Sequence, residues 1–230
     1  MIDLLHTPLF GVIISIIALE IGLYINRKTK ISLLNPLLIS IVLIIVILIK
    51  FDISLEAYNE GGGLISFFLG PATVILAVPL YKQFEIFKAN ILPIIVGITV
   101  GCLTSVISVV FLSKLFGLSD DILRSLIPKS ITNPIGIELS KQIGGIPSIT
   151  VTAIIITGIF GSIIAPYVFK IFRIKDKVAI GVSLGTSSHA LGTTKAIEMG
   201  ETEGAMSGLS IGLAGLVTVI LIPLLINLLC

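Results

Sequence analysis

Long runs of isoleucine, leucine and valine constrain this sequence more than any other feature. Residues 37–50, LLISIVLIIVILIK, contain one serine and a final lysine and are otherwise apolar. Only 12% of all residues are charged, against about 25% in soluble domains, and the mean hydropathy is +1.16. A single water-soluble domain of 230 residues cannot bury so much apolar surface. The composition therefore predicts an integral membrane protein surrounded by a lipid bilayer.

A helix that crosses a membrane needs roughly 20 mostly apolar residues. Stretches of this kind cover residues 8–26, 33–50, 64–81, 90–113, 146–169 and 205–229. Two others, 122–142 and 178–197, are apolar enough to enter a bilayer but are interrupted by polar residues and glycine or proline. We therefore expect an all-α integral membrane protein of the transporter kind, a single polytopic domain over residues 1–230 with about 6–8 membrane segments, some discontinuous or re-entrant.

Lysine and arginine are concentrated in alternate loops, which indicates the orientation. The loops rich in them, expected in the cytoplasm, are residues 27–32, 82–89 and 170–177. The loops in which acidic residues balance them, expected outside, are residues 50–63 and 114–121. This alternation places the N-terminus outside, and it requires segment 122–142 to return to the side from which it enters. The cations follow the first apolar segment, the opposite of a signal peptide, so we expect that segment to remain in the membrane.

Three interrupted stretches resemble one another: GPATVILAVPLYKQ at 70–83, KSITNPIGIELSKQ at 129–142 and GTSSHALGTTK at 185–195. Thr73, Thr132 and Ser188 align, and each stretch precedes an apolar helix with paired glycines. The alternatives are a chance match in a glycine-rich chain and an internal repeat, which would comprise residues 64–116, 122–172 and 178–229. The residues expected to break the helices are Gly70, Pro71, Pro79, Gly136, Gly185 and Gly192.

Broken helices at membrane depth indicate a binding site or a polar pathway, because hydrocarbon offers no partner for free backbone groups. A break exposes N–H groups at the start of a half-helix, where an anion binds well. Serine and threonine hydroxyls add donors, and Lys129 or Lys195 would supply a cation. Many secondary transporters hold anions in this way. The alternative is that the hydroxyls bond to the preceding turn and the prolines only kink ordinary helices.

Two titratable residues lie within these apolar stretches. An intramembrane histidine is costly, so His189 is a candidate proton carrier. Its alternative role is that of a neutral histidine hydrogen-bonded across a helix interface. Glu138 is a second candidate for proton coupling, although Lys141 three residues later could pair with it.

Other functional classes have no support in the sequence. There is no Gly-x-Ser-x-Gly turn and no His-Glu-x-x-His zinc pair, so no enzyme is expected. Cys102 and Cys230 form neither a metal-binding nor a disulfide pattern, and we expect no metal or cofactor. The net charge is +2 without a basic, aromatic patch, so no nucleic-acid partner is expected. Glycine-bearing helix faces are typical of close helix packing, including that of a homodimer.

Four longer motifs resemble a known family. They are NPLLIS, EAYNEGGGLISFFLGPATVILAVPLYKQ, PKSITNPIGIELSKQIGGIPSITVTAIIITGIFG and GTSSHALGTTKAIEMGETEGAMSGLSIGLAGL. In this order, over about residues 35–225, they closely resemble the LrgB/CidB family of bacterial membrane proteins. The resemblance implies a multi-pass protein of the bacterial plasma membrane that works with a small membrane partner of the LrgA/CidA kind.

The resemblance implies two functions. The family was first described as holin-like and antiholin-like, regulating murein hydrolase export or activity and autolysis. Members have also been linked to pyruvate uptake, and a plant plastid relative exchanges glycolate and glycerate. The interrupted polar stretches favour a proton-coupled transporter of a small monocarboxylate anion such as pyruvate, glycolate or lactate, because a pore needs less specific chemistry.

For such a transporter we expect the carboxylate to bind at the break before Pro134. The break at 185–195 would supply further hydroxyls, and Thr73 of the stretch at 70–83 would line the path. The expected substrate-binding residues are Lys129, Ser130, Thr132, Pro134, Thr186, Ser187, Ser188 and Thr73. The expected proton-coupling residues are His189 and Glu138.

Overall fold

The computed structural model describes residues 7–29, 34, 36–68, 71 and 77–229, and every regular element among them is helical. The all-α prediction is therefore confirmed for this part of the chain. The chain divides into two compact units, Met1–Ile75 and Leu76–Cys230. Gly70 and Thr73, two residues of the first interrupted stretch, lie outside the described residues.

The first unit contains α1 (Pro8–Thr29), α2 (Pro36–Lys50) and α3 (Leu55–Phe67). Hydroxyl groups link these helices: Ser40 Oγ donates to the Ala18 carbonyl oxygen at 3.1 Å, and Ser15 Oγ lies 2.9 Å from the Tyr58 hydroxyl. Side-chain hydrogen bonds of this kind are typical of helix contacts in membranes.

The second unit contains several short helices and four of more than 20 residues. Its elements are α4 (Ala77–Lys82), α5 (Phe84–Ala89), α6 (Ile91–Leu115), α7 (Asp120–Leu126), a 3₁₀ helix (Ile127–Ser130), α8 (Asn133–Gln142), α9 (Pro147–Ile171), α10 (Lys177–Met199) and α11 (Glu201–Leu229). The long helices α6 and α9 each have 25 residues and are about 37 Å long.

Four helices of the described chain are long and apolar enough to cross a membrane: Leu9–Thr29, Ile91–Leu115, Pro147–Ile171 and Glu201–Ile226. Each exceeds the ~30 Å thickness of a bilayer's hydrocarbon core. Large apolar side chains such as Phe111, Ile156 and Ile220 are exposed on them, as expected for a surface that contacts lipid. The predicted segment at 33–50 corresponds to α2, which is a shorter apolar helix. The finer count of about 6–8 membrane segments stays a prediction.

Residues 120–142 form a helical hairpin, which we call hairpin A. Its two arms are α7 and α8, and its tip is the 3₁₀ helix with Ile131 and Thr132. The arms lie side by side: Arg124 Nη1 donates to the Ile143 carbonyl oxygen at 3.1 Å. The buried Thr150 Oγ1 on α9 lies 2.8 Å from the Ser125 carbonyl oxygen and 2.7 Å from Ser140 Oγ. The chain therefore reverses within this segment, as the loop charges predict.

Residues 177–199 form a second hairpin, hairpin B, within what is nominally one helix, α10. At His189 the backbone adopts φ 43° and ψ −129°, which is not helical. A side chain at Gly192 would collide with the carbonyl oxygen of Leu184, although residues eight apart in a straight helix are about 12 Å apart. The half-helix after His189 therefore folds back along the half-helix before it.

The two hairpins approach the middle of α9 from opposite ends. Near its start, Thr150 contacts both arms of hairpin A. Near its centre, Gly158 lies against His189 at the tip of hairpin B. Near its end, Phe169 packs with Ile180 in the first arm of hairpin B. The tips of the two hairpins consequently meet midway along the long helices, where the 3₁₀ helix contacts α10.

The helix breaks lie beside the glycines that were expected to form them. Gly136, Gly185 and Gly192 are all helical. The missing side chains instead allow close packing: a Cβ at Gly136 would lie 2.6 Å from Ile154 Cδ1, and one at Gly185 would collide with the Ser207 carbonyl oxygen. Hairpin A breaks at Ile131 and Thr132, which are extended; hairpin B breaks at His189.

Two of the prolines expected at the breaks lie in the first turn of a helix, where proline is tolerated. Pro134 is the second residue of α8 and Pro79 the third of α4, while Pro71 is a described helical residue between undescribed neighbours. Because the first turn of a helix has no internal partner for its N–H groups, proline costs little there.

Candidate functional site

A cavity of about 780 Å³ lies between α6, α9 and the first half of α10. This volume is within the range of about 300–1,000 Å³ typical of small-molecule sites. Asn90 and Asp176, at the starts of α6 and α10, lie at one end, and Lys129, Ser130 and Ser188 lie at the other. The cavity thus extends from one end of the second unit to the meeting point of the hairpin tips.

Lys129 brings a cation to the inner end of this cavity. Its Nζ lies 3.1 Å from Ser130 Oγ and 3.4 Å from Ser105 Oγ, and the two hydroxyl oxygens are 3.0 Å apart. The side chain is half-buried. Among the described residues, no carboxylate forms an ion pair with Lys129. The ammonium therefore lies beside two hydroxyls and has no counter-charge within the described part of the chain.

The first arm of hairpin B adds further hydroxyls to the cavity wall. Thr186 is only 7% exposed, and its Oγ1 has no hydrogen-bond partner in the described part of the chain. Its methyl group packs on Gly101 of α6, where a Cβ would lie 2.9 Å from Thr186 Cγ2. Ser187 Oγ donates to the Ser183 carbonyl oxygen at 2.7 Å and lies 3.0 Å from Ser188 Oγ. Thr186 thus retains an unused hydrogen-bonding group in the wall.

The structure brings five of the predicted substrate-binding residues to the cavity. They are Lys129, Ser130, Thr186, Ser187 and Ser188. Thr132 and Pro134 are near the tip of hairpin A but do not line the cavity, and Thr73 lies outside the described residues. Lys195, the alternative cation, is instead paired with Glu198 at 2.8 Å.

The two residues predicted to couple protons are also outside the cavity lining. Glu138 is exposed, and its carboxylate lies 3.3 Å from Lys141 Nζ. His189 is buried, with 4% of its surface exposed, and its Nε2 lies 2.9 Å from the carbonyl oxygen of Ile154. His189 therefore lies beside the site, between hairpin B and α9.

Sequence reasoning missed the hydroxyls that α6 and α9 contribute. Thr104, Ser105 and Ser108 of α6, and Thr157 of α9, line the cavity. The signal was present, because Thr104, Ser105 and Ser108 recur at helical spacing within an otherwise apolar segment. Polar residues on one face of a membrane helix are typical of a face turned away from lipid.

Among the described residues, no group of three or more His, Cys, Asp or Glu is placed to hold a metal ion.

Fold and site together define a helical membrane protein in which two opposed hairpins present hydroxyls and a lysine to one cavity. A family model described as the LrgB-like family matches residues 15–228. The antiholin-like protein LrgB of Bacillus cereus is 41% identical over 219 residues, which are 95% of this chain and 95% of that protein. The protein of the same name from Bacillus anthracis matches to the same extent. No solved structure matches. This chain belongs to the LrgB-like family, which confirms the resemblance of its motifs.

Proposed function

We propose that this protein transports a small monocarboxylate of the pyruvate, glycolate or lactate type across the membrane. One observation carries the proposal: Lys129 is at the inner end of a hydroxyl-lined cavity and has no ion-pair partner among the described residues. A half-buried charge at membrane depth is costly unless it is neutralised. A bound carboxylate would neutralise the ammonium.

The hydroxyls around Lys129 suit the same ligand. Ser105 and Ser130 are both within hydrogen-bond distance of its Nζ, so they could donate to a carboxylate bound beside it. Thr186 offers a buried hydroxyl without a described partner. Leaving such a group unpaired is costly, and a rotation of this buried hydroxyl toward the cavity would let a ligand oxygen satisfy it.

The shape of the cavity favours a carrier over an open pore. Its lining includes Asn90 and Asp176 at one end. Beyond the tips, the opposite end is filled by an apolar cluster that includes Val109, Leu123 and Leu139, and none of these residues lines the cavity. Access from one side only is what a transporter needs in each of its alternating states.

The order of the elements supports an inverted repeat. Residues 120–171 consist of hairpin A followed by α9, and residues 177–229 consist of hairpin B followed by α11. The hairpins approach their common meeting point from opposite ends, an arrangement frequent among secondary transporters. The first expected repeat, residues 64–116, contains undescribed residues.

We further propose that this is a multi-pass protein of the bacterial plasma membrane with its N-terminus outside. Its transport would be coupled to protons, and it would act with an LrgA/CidA-like subunit.

The second candidate function is that of an antiholin-like regulator of murein hydrolase export or activity and of autolysis. The names of the Bacillus relatives favour it. Such a role does not exclude carboxylate flux, because hydrolase control could follow from proton movement or from carboxylate metabolism.

A flux panel tests the proposal. Proteoliposomes holding this chain, with and without the small subunit, are assayed for uptake of labelled pyruvate, lactate and glycolate, each with and without a proton gradient. Saturable uptake that is lost in Lys129→Gln but kept in Lys195→Gln supports the transporter, because Lys195 is ion-paired outside the cavity. The absence of flux for all three acids would reject it, and leakage of an entrapped dye without saturation would favour a pore.

A further inference from the structure

We propose that His189 is a positioning residue whose ring fastens the tip of hairpin B to the middle of α9. By doing so it holds the hydroxyls of residues 186–188 in the cavity wall. This assignment differs from the proton-carrying role that the sequence favours, and it depends on four features: the backbone at the break, the ring's hydrogen bond, the glycine beneath the ring, and the links from the tip to α11.

The backbone at the break needs a fastening. His189 has φ 43° and ψ −129°, a conformation outside the left-handed helical region and one that residues other than glycine rarely adopt. Such a conformation persists only where surrounding contacts hold it. The non-helical backbone of His189 also interrupts α10 between Ser188 and Ala190, so contacts from other helices are needed to hold the tip.

The imidazole ring supplies one of these contacts. Its Nε2 lies 2.9 Å from the Ile154 carbonyl oxygen, and because a carbonyl oxygen only accepts, Nε2 must carry the hydrogen. The neutral Nε2–H tautomer satisfies this bond, so no additional proton is needed for the ring to be held. His189 is buried and does not line the cavity, so the ring has no direct contact with the path proposed for the substrate.

Gly158 makes the contact possible. Side chains of an α-helix lean toward its N-terminus and cover the carbonyl groups of the preceding turn. Gly158 is four residues after Ile154 and has no side chain to cover that carbonyl. A Cβ at Gly158 would lie 2.6 Å from His189 Cε1 and 2.9 Å from Nε2. The ring therefore occupies the space that any other residue at 158 would fill.

The far side of the tip is tied to α11. Thr193 Oγ1 donates to the His189 carbonyl oxygen at 3.1 Å and lies 2.7 Å from Ser207 Oγ. The tip is thus held between α9 and α11. The charged group that faces it from the tip of hairpin A is Lys129, the cation of the proposed site. Moving the tip would therefore shift Thr186 and Ser188 relative to Lys129.

The test compares His189→Gln, His189→Ala and Gly158→Ala, with Gly97→Ala as the matched control. The Nε2 of glutamine can donate from nearly the position of the histidine Nε2 but does not titrate. A Cβ at Gly97 meets only Val182 Cγ1, at an ordinary 3.7 Å. The first readout does not require flux. Both native cysteines are replaced by alanine, Ser187→Cys is added, and the rate at which a charged thiol reagent labels this cysteine in vesicles is measured for each variant. The second readout is the pH dependence of flux in the same variants without Ser187→Cys.

We expect His189→Ala and Gly158→Ala each to change the labelling rate by at least about fivefold, as for the loss of one hydrogen bond. His189→Gln and Gly97→Ala should stay within about twofold of the parent, a change smaller than one hydrogen bond would cause. The flux of His189→Gln should keep the parent's dependence on pH. If His189→Ala is not produced as folded protein, the comparison of His189→Gln with Gly158→Ala still tests the proposal.

Two results would overturn the proposal. One is a labelling rate that stays within about twofold of the parent in Gly158→Ala, or that changes by about fivefold or more in His189→Gln. The other is normal labelling in His189→Gln with a flattened pH profile, which would assign the proton role instead. Because labelling is independent of transport, a protein that carries none of the tested acids still yields a decision on the fastening.

Discussion

Replacing Lys129 by alanine removes the cation at the inner end of the cavity. An ammonium and a carboxylate about 4 Å apart attract each other by about 4 kcal/mol at the effective dielectric constant of about 20 found near protein surfaces. Lys129 is half-buried, so water in the cavity weakens the interaction, and we take about 2 kcal/mol as the net loss. That free energy corresponds to a roughly 30-fold increase in Kd or KM.

The folded state should lose little in the same variant. Lys129 forms no ion pair with a described carboxylate, so its removal breaks no ion pair and relieves the cost of a half-buried charge. We therefore expect an unchanged or slightly higher melting temperature in detergent. Lys129→Arg keeps the charge and should lose less affinity than Lys129→Ala, although its planar guanidinium places the donors differently.

The assay is the concentration dependence of uptake into proteoliposomes for whichever acid is carried, with equilibrium binding to the purified protein as a check. Lys195→Ala is the control, since its ammonium is paired with Glu198 and does not line the cavity. The reasoning is refuted if Lys129→Ala changes KM by less than about threefold, the range of an exposed ion pair, or if Lys195→Ala has the same effect.

Two further predictions follow from the hydroxyls. Thr186→Val replaces a buried hydroxyl that lacks a described partner. We expect an unchanged or higher melting temperature and a roughly tenfold higher KM, as for the loss of one hydrogen bond to a charged group. A lower melting temperature with a normal KM would contradict this prediction. Thr150→Val removes the oxygen that links Ser125 and Ser140, and we expect thermal unfolding to show a loss of about 1–3 kcal/mol of stability. Thr152 is exposed, so Thr152→Val should change the stability little. Equal effects of the two substitutions would show that the link does not stabilise hairpin A.

Hydropathy and loop charge were sufficient to predict much of the fold. The apolar segments at 90–113, 146–169 and 205–229 correspond to α6, α9 and α11. The alternation of basic loops required residues 122–142 to turn back, and they form hairpin A. These features depend on local composition and on counting sides of the membrane, which is why a single sequence reveals them.

The positions of the breaks could not be predicted in the same way. Glycine permits an unusual backbone, but it also permits close approach, and local sequence does not distinguish the two uses. Gly185 and Gly192 serve close approach, while the unusual backbone falls on His189. Only the tertiary partners, Ser207 for Gly185 and Gly158 for the His189 ring, decide between them. Ser105 was missed for a related reason, since its contact with Lys129 joins residues from different elements.

The charges of the cavity indicate which anions the proposed site would accept. Among the described lining residues, only Lys129 and Asp176 are charged, and Asp176 is exposed at the far end, where its side chain caps α10. One carboxylate beside Lys129 leaves the inner end of the cavity neutral. A dicarboxylate would bring a second negative charge with no cation to pair with, and burying an unpaired charge costs several kcal/mol. The proposed site therefore selects acids with one charge, and its hydroxyls are suited to a small, oxygen-rich remainder rather than to a second carboxylate.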